Sequence, residues 1–280
     1  MQTTFPLNIS EPCPHDAELM RVKEFLLAKP DLASTFRIAV RKAFDEVIDG
    51  PRTGRYCIED LEKTEKTYIG TKVEIIVRAE LELERGAVLD NLIVGQEVDT
   101  KFSVTKSWMI PREAIGKLCL LVSGNDATGE LCVGLLRMTP DVLTNGANQD
   151  GKKSISAFGK SQIVWLVRDR MLPNFLLSLP DSIRQHVLSR PSGMQRVSAL
   201  FKSVTNRLIP RSAVEHVAQQ KDPMRRARQM KVRLAAEGYT VLCAKYEHDR
   251  SEILRYGFSN FDIDDWLSIR DPKFDQVCSR

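Results

Sequence analysis

Two different patterns of apolar residues divide this chain of 280 residues. The first half combines helix-like spacing with short strand-like runs that end at turn signals. The helical patterns lie at 16–48 and 72–83, and the strand-like runs lie at 91–94, 97–103, 118–123 and 131–138. Lys29-Pro30 interrupts the first helical pattern. Several strands flanked by amphipathic helices predict an α/β or mixed α+β domain.

The second half is typical of short helices. The helical patterns lie at 155–167, 180–188, 194–206, 212–219 and 223–237, and a strand-like run follows at 239–244. Asp222 is suited to the N-cap of the last helix and Pro223 to its first position. This order is typical of a winged helix-turn-helix domain, in which helices joined by short turns are followed by a basic helix and then by strands.

A polar segment rich in Asn and Gly, residues 144–153, is interpreted as a loop near a domain border. At about 150 residues per domain, the length indicates two domains. We therefore assign residues 1–160 and 161–280 to separate domains.

Composition excludes several classes of protein. The longest apolar run, around 115–123, contains Gly116 and Lys117 and is shorter than the roughly 18 residues of a membrane helix. Residues 1–14 have neither a basic residue nor an apolar core, so we expect no secretory signal and a cytoplasmic location. The six cysteines form no C-x-x-C pair, which argues against a disulfide framework or structural zinc.

The charge is distributed unevenly. Residues 1–159 hold 20 Lys and Arg against 24 Asp and Glu, whereas residues 160–280 hold 21 against 13. Within 184–233, twelve basic residues face only Glu215 and Asp222. A solvated helical face usually interleaves both signs, so this density favours binding to nucleic acid or another polyanion. The candidate DNA-binding residues are Arg196, Lys202, Arg207, Arg211, Lys221, Arg225, Arg226, Arg228, Gln229, Lys231 and Arg233.

The candidate catalytic cluster lies in the first half. Asp99 and Lys101 are two residues apart on a predicted strand, so their side chains share one face while Thr100 points away. Asp90 begins the preceding strand, and a hairpin would return it beside Asp99. Such a carboxylate pair can hold Mg²⁺ together with water and phosphate oxygens. Glu74, on the preceding helix, adds a further carboxylate. Lys101 can orient the nucleophile or stabilise the developing negative charge. This arrangement suits phosphodiester hydrolysis.

Asp-x-Lys alone is more typical of a surface salt bridge on a strand. Val98 and Phe102 flank the motif, which indicates a core strand where charged side chains need a partner or a metal. The four histidines are scattered, and neither a phosphate-binding G-x-x-x-x-G-K-[ST] nor a G-x-G-x-x-G motif occurs. Nucleotide-driven motors and dinucleotide oxidoreductases therefore have no support.

Longer stretches resemble the NaeI family of type IIE restriction endonucleases. They occur in family order from about residue 49 to about residue 245. The stretches are Asp49-Gly50-Pro51-Arg52-Thr53-Gly54-Arg55-Tyr56, Lys63-Thr64-Glu65-Lys66-Thr67, Gly70-Thr71-Lys72-Val73-Glu74-Ile75, Val98-Asp99-Thr100-Lys101-Phe102-Ser103, Trp108-Met109-Ile110-Pro111, Ile115-Gly116, Arg196-Val197, Leu200-Phe201 and Val217-Ala218-Gln219-Gln220-Lys221-Asp222.

The resemblance implies a homodimeric, Mg²⁺-dependent endonuclease. Its N-terminal cleavage domain would be of the PD-(D/E)xK type, and its C-terminal domain would be a winged helix like that of the catabolite activator protein. It implies catalytic positions at Glu74, Asp90, Asp99 and Lys101, with the three carboxylates as metal ligands. It also implies double-stranded DNA bound at two sites, one of them an allosteric activator, a GC-rich palindromic target, and a cognate DNA methyltransferase as functional partner.

Two alternatives share these residues. One is a repair or modification-dependent nuclease of the same fold, which would differ only in the DNA it recognises. The other is a winged-helix DNA-binding regulator with an idle metal site, although all four catalytic positions are intact.

Overall fold

The computed structural model describes residues 16–220, 222–271 and 274. Ten α-helices are assigned in this part of the chain: α1 (Ala17–Leu27), α2 (Leu32–Ile48), α3 (Gly50–Thr53), α4 (Lys63–Glu80), α5 (Ala157–Ser161), α6 (Asp181–Leu188), α7 (Gly193–Ser203), α8 (Arg211–Ala218), α9 (Pro223–Ala235) and α10 (Glu247–Arg255).

Twelve strands accompany the helices in the same described residues. They are β1 (Glu84–Arg85), β2 (Asn91–Ile93), β3 (Gln96–Ser103), β4 (Met109–Ile110), β5 (Leu118–Asn125), β6 (Glu130–Arg137), β7 (Leu143–Ala147), β8 (Lys153–Ile155), β9 (Val164–Arg170), β10 (Leu208–Ile209), β11 (Tyr239–Cys243) and β12 (Trp266–Arg270). The mixed α+β class predicted from sequence is confirmed. No helix within 16–220, 222–271 and 274 is long and apolar enough to span a membrane.

The chain forms two compact units. The first contains Met1–Val47 and Leu61–Pro173, and the second contains Ile48–Asp60 and Asn174–Arg280. The division thus falls at residue 173, whereas the sequence suggested 160. The reason is β9, which pairs with β6 and completes the sheet of the first unit.

The first unit is built on a six-stranded sheet in the order β1-β2-β3-β5-β6-β9. Only the β3–β5 pair is parallel, and the other pairs are antiparallel. On one face, Phe102 of β3 meets Phe44 of α2 edge-on, with ring centroids 5.8 Å apart. A separate core cluster joins Cys119 and Leu121 of β5 to Trp108. The strand that carries Asp99, β3, is therefore buried in the middle of the sheet.

Helix α4 begins earlier than predicted. Its polar first turn hid the start, because Glu62 and Glu65 form a capping box in which the Glu65 carboxylate accepts from the Glu62 amide at 2.8 Å. Buried Ile69, Val73 and Val77 then recur every four residues and seat the helix on the sheet. This packing places Glu74 next to β3.

Two other predictions for the first unit were wrong. The segment 144–153 is not simply a loop, since most of it lies in the β7–β8 hairpin, which pairs with β4. The helix predicted at 155–167 is instead the short α5 followed by β9. Residues 164–170 form a strand because they pair with β6, where Val164 lies opposite Leu135 and Val167 lies opposite Val133.

The β2–β3 hairpin turns through Val94-Gly95, where both residues have positive φ (44° and 78°). Such a turn favours Asn-Gly, and valine is strained there because of its branched Cβ. We expect Val94→Asn to raise the free energy of unfolding by about 1 kcal/mol. Urea denaturation measures the change. Gly95→Ala should lower stability, and a destabilised Val94→Asn variant would contradict the assignment of strain to this turn.

The second unit packs α6 to α9 with the antiparallel sheet β10-β12-β11. Asp222 caps α9 by accepting from the Arg225 amide at 3.0 Å, and Pro223 occupies the first turn, as predicted. The sequence patterns did not predict α10 or β12, the strand on which β10 and β11 both pair.

The segment 48–60 also belongs to the second unit. Gly50 lies so close to His216 of α8 that a Cβ would come within 2.3 Å of the imidazole ring. Asn174 donates from Nδ2 to the Tyr56 carbonyl oxygen at 2.6 Å. The Asp49–Tyr56 stretch therefore packs with α8, although the sequence placed it in the N-terminal domain.

Candidate active site

The four predicted catalytic residues occupy three adjacent elements of the first unit. Glu74 lies on α4, Asp90 immediately precedes β2, and β3 carries Asp99 and Lys101. Asn91 pairs with Val98 in the antiparallel hairpin, so the same register sets Asp90 opposite Asp99. The predicted hairpin thus brings these carboxylates together.

Asp99 and Lys101 form an ion pair on one face of β3. The Lys101 Nζ donates to Asp99 Oδ1 at 2.8 Å. The side chain of Asp99 is only 5% exposed and that of Lys101 is 26% exposed. One end of the pair is therefore embedded in the sheet while the ammonium reaches toward solvent.

Asp90 is held by main-chain contacts. Its Oδ2 accepts from the Thr100 amide at 2.7 Å, and its carbonyl oxygen accepts from Arg78 Nη1 at 2.9 Å. Arg78 also pairs with Glu74 one turn earlier on α4, at 3.4 Å. Arg78 thus connects the helix that carries one carboxylate to the loop that carries another.

The loop before Asp90 is organised by Glu97. Its carboxylate accepts from the amides of Ala87 and Leu89, both at 2.8 Å. These amides hold the pKa of Glu97 below its usual range. Gly86 permits the arrangement, because a Cβ there would come within 2.4 Å of the Glu97 carboxylate.

Burial changes the acidity of the carboxyl groups of the site. Burial raises the pKa of Asp99 to about 7, against the opposing attraction of Lys101. Burial, and then repulsion from Asp90, raises the pKa of Glu74. Burial disfavours the charged form of Lys101, but the neighbouring Asp99 keeps the pKa of Lys101 above its usual range. Burial therefore disfavours the charged forms of Asp99 and Glu74, and a cation bound beside them would stabilise those forms.

The pKa of Asp99 predicts a pH dependence of stability. Because the folded-state pKa lies above the unfolded value, protonated Asp99 stabilises the fold at low pH, and this contribution is lost as the pH rises from about 4 to 7. In EDTA, the free energy of unfolding of the natural protein should fall relative to that of Asp99→Asn over this window. Urea titrations at a series of pH values measure this difference, and a pH-independent difference would contradict the assignment.

The chemistry of the donor set fits a hard divalent cation. Asp90, Asp99 and Glu74 offer carboxylate oxygens, the ligands that Mg²⁺ prefers. Within the described residues, however, no three side chains of His, Cys, Asp or Glu converge as a preformed metal cage. This agrees with Mg²⁺ sites in which one or two carboxylates act together with water and phosphate oxygens.

The whole sequence was also compared with known proteins. A family model described as restriction endonuclease NaeI matches residues 20–274. The chain belongs to the restriction endonuclease NaeI family. The type II restriction enzyme NaeI of Lentzea aerocolonigenes is 37% identical over 236 residues, which cover 81% of this chain and 73% of that enzyme. The predicted enzyme family, that of a type II site-specific deoxyribonuclease, is confirmed, and the match extends beyond the 49–245 range of the sequence resemblance.

In this NaeI-family chain, the predicted DNA-binding residues of the second unit have different surroundings. Three of them are in ion pairs: Lys202 with Glu237, Arg211 with Glu215 and Asp264, and Lys231 with Asp249. Arg196 donates to the carbonyl oxygens of Arg190, Val217 and Ala218, so its guanidinium closes the end of α8. Its contacts are those of a structural residue.

Other residues of this set have polar or aromatic neighbours. Arg207 donates to Ser178 and lies over the Phe175 ring, 4.5 Å from its centroid. Arg226 donates to Gln229 at 3.3 Å. Lys221 lies outside the described residues.

The solvent-facing side of α9 is basic. Arg225, Arg228 and Arg233 are exposed and have no ion pair within the described part of the chain. Arg225, Arg228 and Val232 follow helical spacing opposite the buried Ala227 and Leu234. The positive charges of these arginines are therefore available to a ligand in solution.

Sequence reasoning missed the residues that support the site. Cys119 of β5 pairs with Asp99 in register, and its Sγ lies 4.0 Å from Asp99 Oδ2. Burial raises the pKa of Cys119 well above its usual value, so it is a neutral thiol behind the carboxylate. Arg78, Glu97 and Asn91 were also missed. Their roles depend on strand register and helix packing, for which the local sequence carries no signal.

Proposed function

We propose that this chain is a Mg²⁺-dependent type II restriction endonuclease that hydrolyses phosphodiester bonds at a specific site in double-stranded DNA. The observation that supports this most directly is the Asp99–Lys101 pair on a buried strand, with Asp90 set opposite it by the hairpin register. Membership of the NaeI family supports the same activity.

Each residue of the site would have a separate role in the reaction. Asp90 and Asp99 would hold Mg²⁺ directly, and Glu74 would do so directly or through water. Bound Mg²⁺ would polarise the scissile phosphate and acidify a water molecule. The Lys101 ammonium, already held by Asp99 at 2.8 Å, would orient the attacking water or stabilise the charge that develops on the phosphate.

We further propose a PD-(D/E)xK cleavage domain for the first unit and a winged-helix domain for the second. The mixed sheet with α4 packed on β3 supports the first assignment. The order α6 to α9 followed by β11 and β12 supports the second, with α9 as the helix that enters the DNA groove. Arg225, Arg228 and Arg233 are the strongest candidates for phosphate or base contacts, because their charges are available.

The remaining expectations come from the family resemblance. They are a homodimer, a second DNA copy bound by the second unit as allosteric activator, a GC-rich palindromic target and a cognate methyltransferase. Two-fold symmetry of a dimer would match a palindrome. The cytoplasmic location stays a prediction.

The test is digestion of a long, unmethylated, GC-rich plasmid with and without Mg²⁺, with a short duplex added in parallel as a possible activator. Discrete fragments that require Mg²⁺ would support the proposal, and sequencing their ends would identify the site. Tight binding without cleavage of any DNA would favour a regulator, whereas cleavage of methylated DNA alone would favour a modification-dependent nuclease.

A further inference from the structure

The β2–β3 hairpin carries a second polar pair on the face opposite the catalytic carboxylates. Asn91 follows Asp90, and Thr100 follows Asp99, so the alternation of side chains sends each pair to opposite faces. Asn91 is completely buried and Thr100 is 4% exposed. A pair of buried polar residues in the interior of a sheet requires an explanation.

The two side chains contact each other. Asn91 Nδ2 donates to Thr100 Oγ1 at 2.9 Å and also approaches the Val98 carbonyl oxygen at 3.5 Å. The Asn91 Oδ1 is buried and has no hydrogen-bond partner in the described residues. The amide is therefore only partly satisfied, and its strongest contact is the Thr100 hydroxyl.

The hairpin itself specifies its register weakly. Strand β2 has three residues, and its turn contains the strained Val94. A slip of one residue in an antiparallel pair moves every side chain to the other face. Such a slip of β2 would bring Asn91 toward the position of Asp90 and replace a carboxylate of the site by an amide.

We propose that Asn91 and Thr100 are positioning residues that lock the β2–β3 register and thereby hold Asp90 opposite Asp99. A buried polar contact can fix register at a cost in stability, because only one alignment satisfies it. Thr100 acts from both sides of the strand. Its hydroxyl accepts from Asn91 on one face, while its amide donates to Asp90 Oδ2 at 2.7 Å. This role rests on the proposed function, in which Asp90 and Asp99 hold the cation.

The test compares Thr100→Val, which removes the hydroxyl at nearly constant volume, with Thr100→Ser, which keeps it. Binding of Mn²⁺ to the DNA-free protein is titrated by electron paramagnetic resonance. We expect Thr100→Val to weaken Mn²⁺ binding about 10-fold, within the range seen when outer-shell partners of metal ligands are lost, and Thr100→Ser to restore it. Hydrogen exchange of metal-free Thr100→Val should also accelerate at 88–104.

Two further variants separate positioning from general stability. Asn91→Leu combined with Thr100→Val replaces both partners by apolar groups, so its stability should recover while Mn²⁺ binding stays weak. Ser123→Ala is the matched control, since it removes a buried hydroxyl from β5 of the same sheet. It should leave Mn²⁺ binding unchanged.

Three results would overturn the positioning role: natural Mn²⁺ affinity in Thr100→Val, recovery of affinity together with stability in the double variant, or equal weakening in Ser123→Ala. If Thr100→Val does not fold, the double variant decides. Failure of the proposed function has a different signature, namely Mn²⁺ binding that survives the loss of Asp99.

Discussion

Asp99→Ala should lower the rate of DNA cleavage at least about 1,000-fold, since it removes a carboxylate that would hold the cation at the scissile phosphate. Lys101→Ala should cause a loss of similar order, because the ammonium that Asp99 holds at 2.8 Å would no longer reach the reacting groups. Single-turnover cleavage of a plasmid at saturating Mg²⁺ measures both rates. DNA affinity, measured separately in EDTA, should change little.

Unfolding would not account for this loss. Burial disfavours the Asp99 carboxylate and raises its pKa, which offsets the loss of the ion pair with Lys101, so Asp99→Ala should remain folded in EDTA at neutral pH. Asp169→Ala is the matched control, because it removes a carboxylate of the first unit whose ion pair with Arg37 is long, at 3.8 Å. Cleavage by Asp99→Ala at the natural rate would show that the active site lies elsewhere.

Arg225→Ala combined with Arg228→Ala should weaken DNA binding by the second unit and flatten its salt dependence. Each phosphate contact contributes about 0.9 to the slope of log K against log salt concentration, so the loss of two contacts should reduce the slope by nearly 2. The measurement is a salt titration of duplex binding by anisotropy, made with the non-cleaving Asp99→Ala protein.

Arg255→Ala serves as control for this experiment. Arg255 lies on α10 and pairs with Glu252, so its removal lowers the net charge by one, half the change made by the double variant, without altering α9. A slope unchanged by the double variant, or reduced equally by the control, would exclude α9 as the DNA-contacting helix.

Local pattern predicted much of the fold. Strands β2, β3, β5 and β6 lie where the sequence indicated, because alternating apolar residues between turn signals need little tertiary context. The Asp222 cap and Pro223 defined the start of α9 for a similarly local reason. By contrast, the sequence wrongly predicted a helix at β9. A short apolar segment is compatible with either a helix or a strand, and here pairing with β6 makes it a strand.

The candidate site shows the same division. The i, i+2 spacing of Asp99 and Lys101 places both on one face of any strand, so the sequence alone determined that pair. It also determined the family and the excess of positive charge on α9, which depend on residue type and order. Tertiary structure decided which arginines have available charge, because Arg196 is engaged by carbonyl oxygens at the end of α8. It likewise decided that Asn91 contacts Thr100 and that Cys119 lies behind Asp99, since strand register and packing join residues that are separated in the chain.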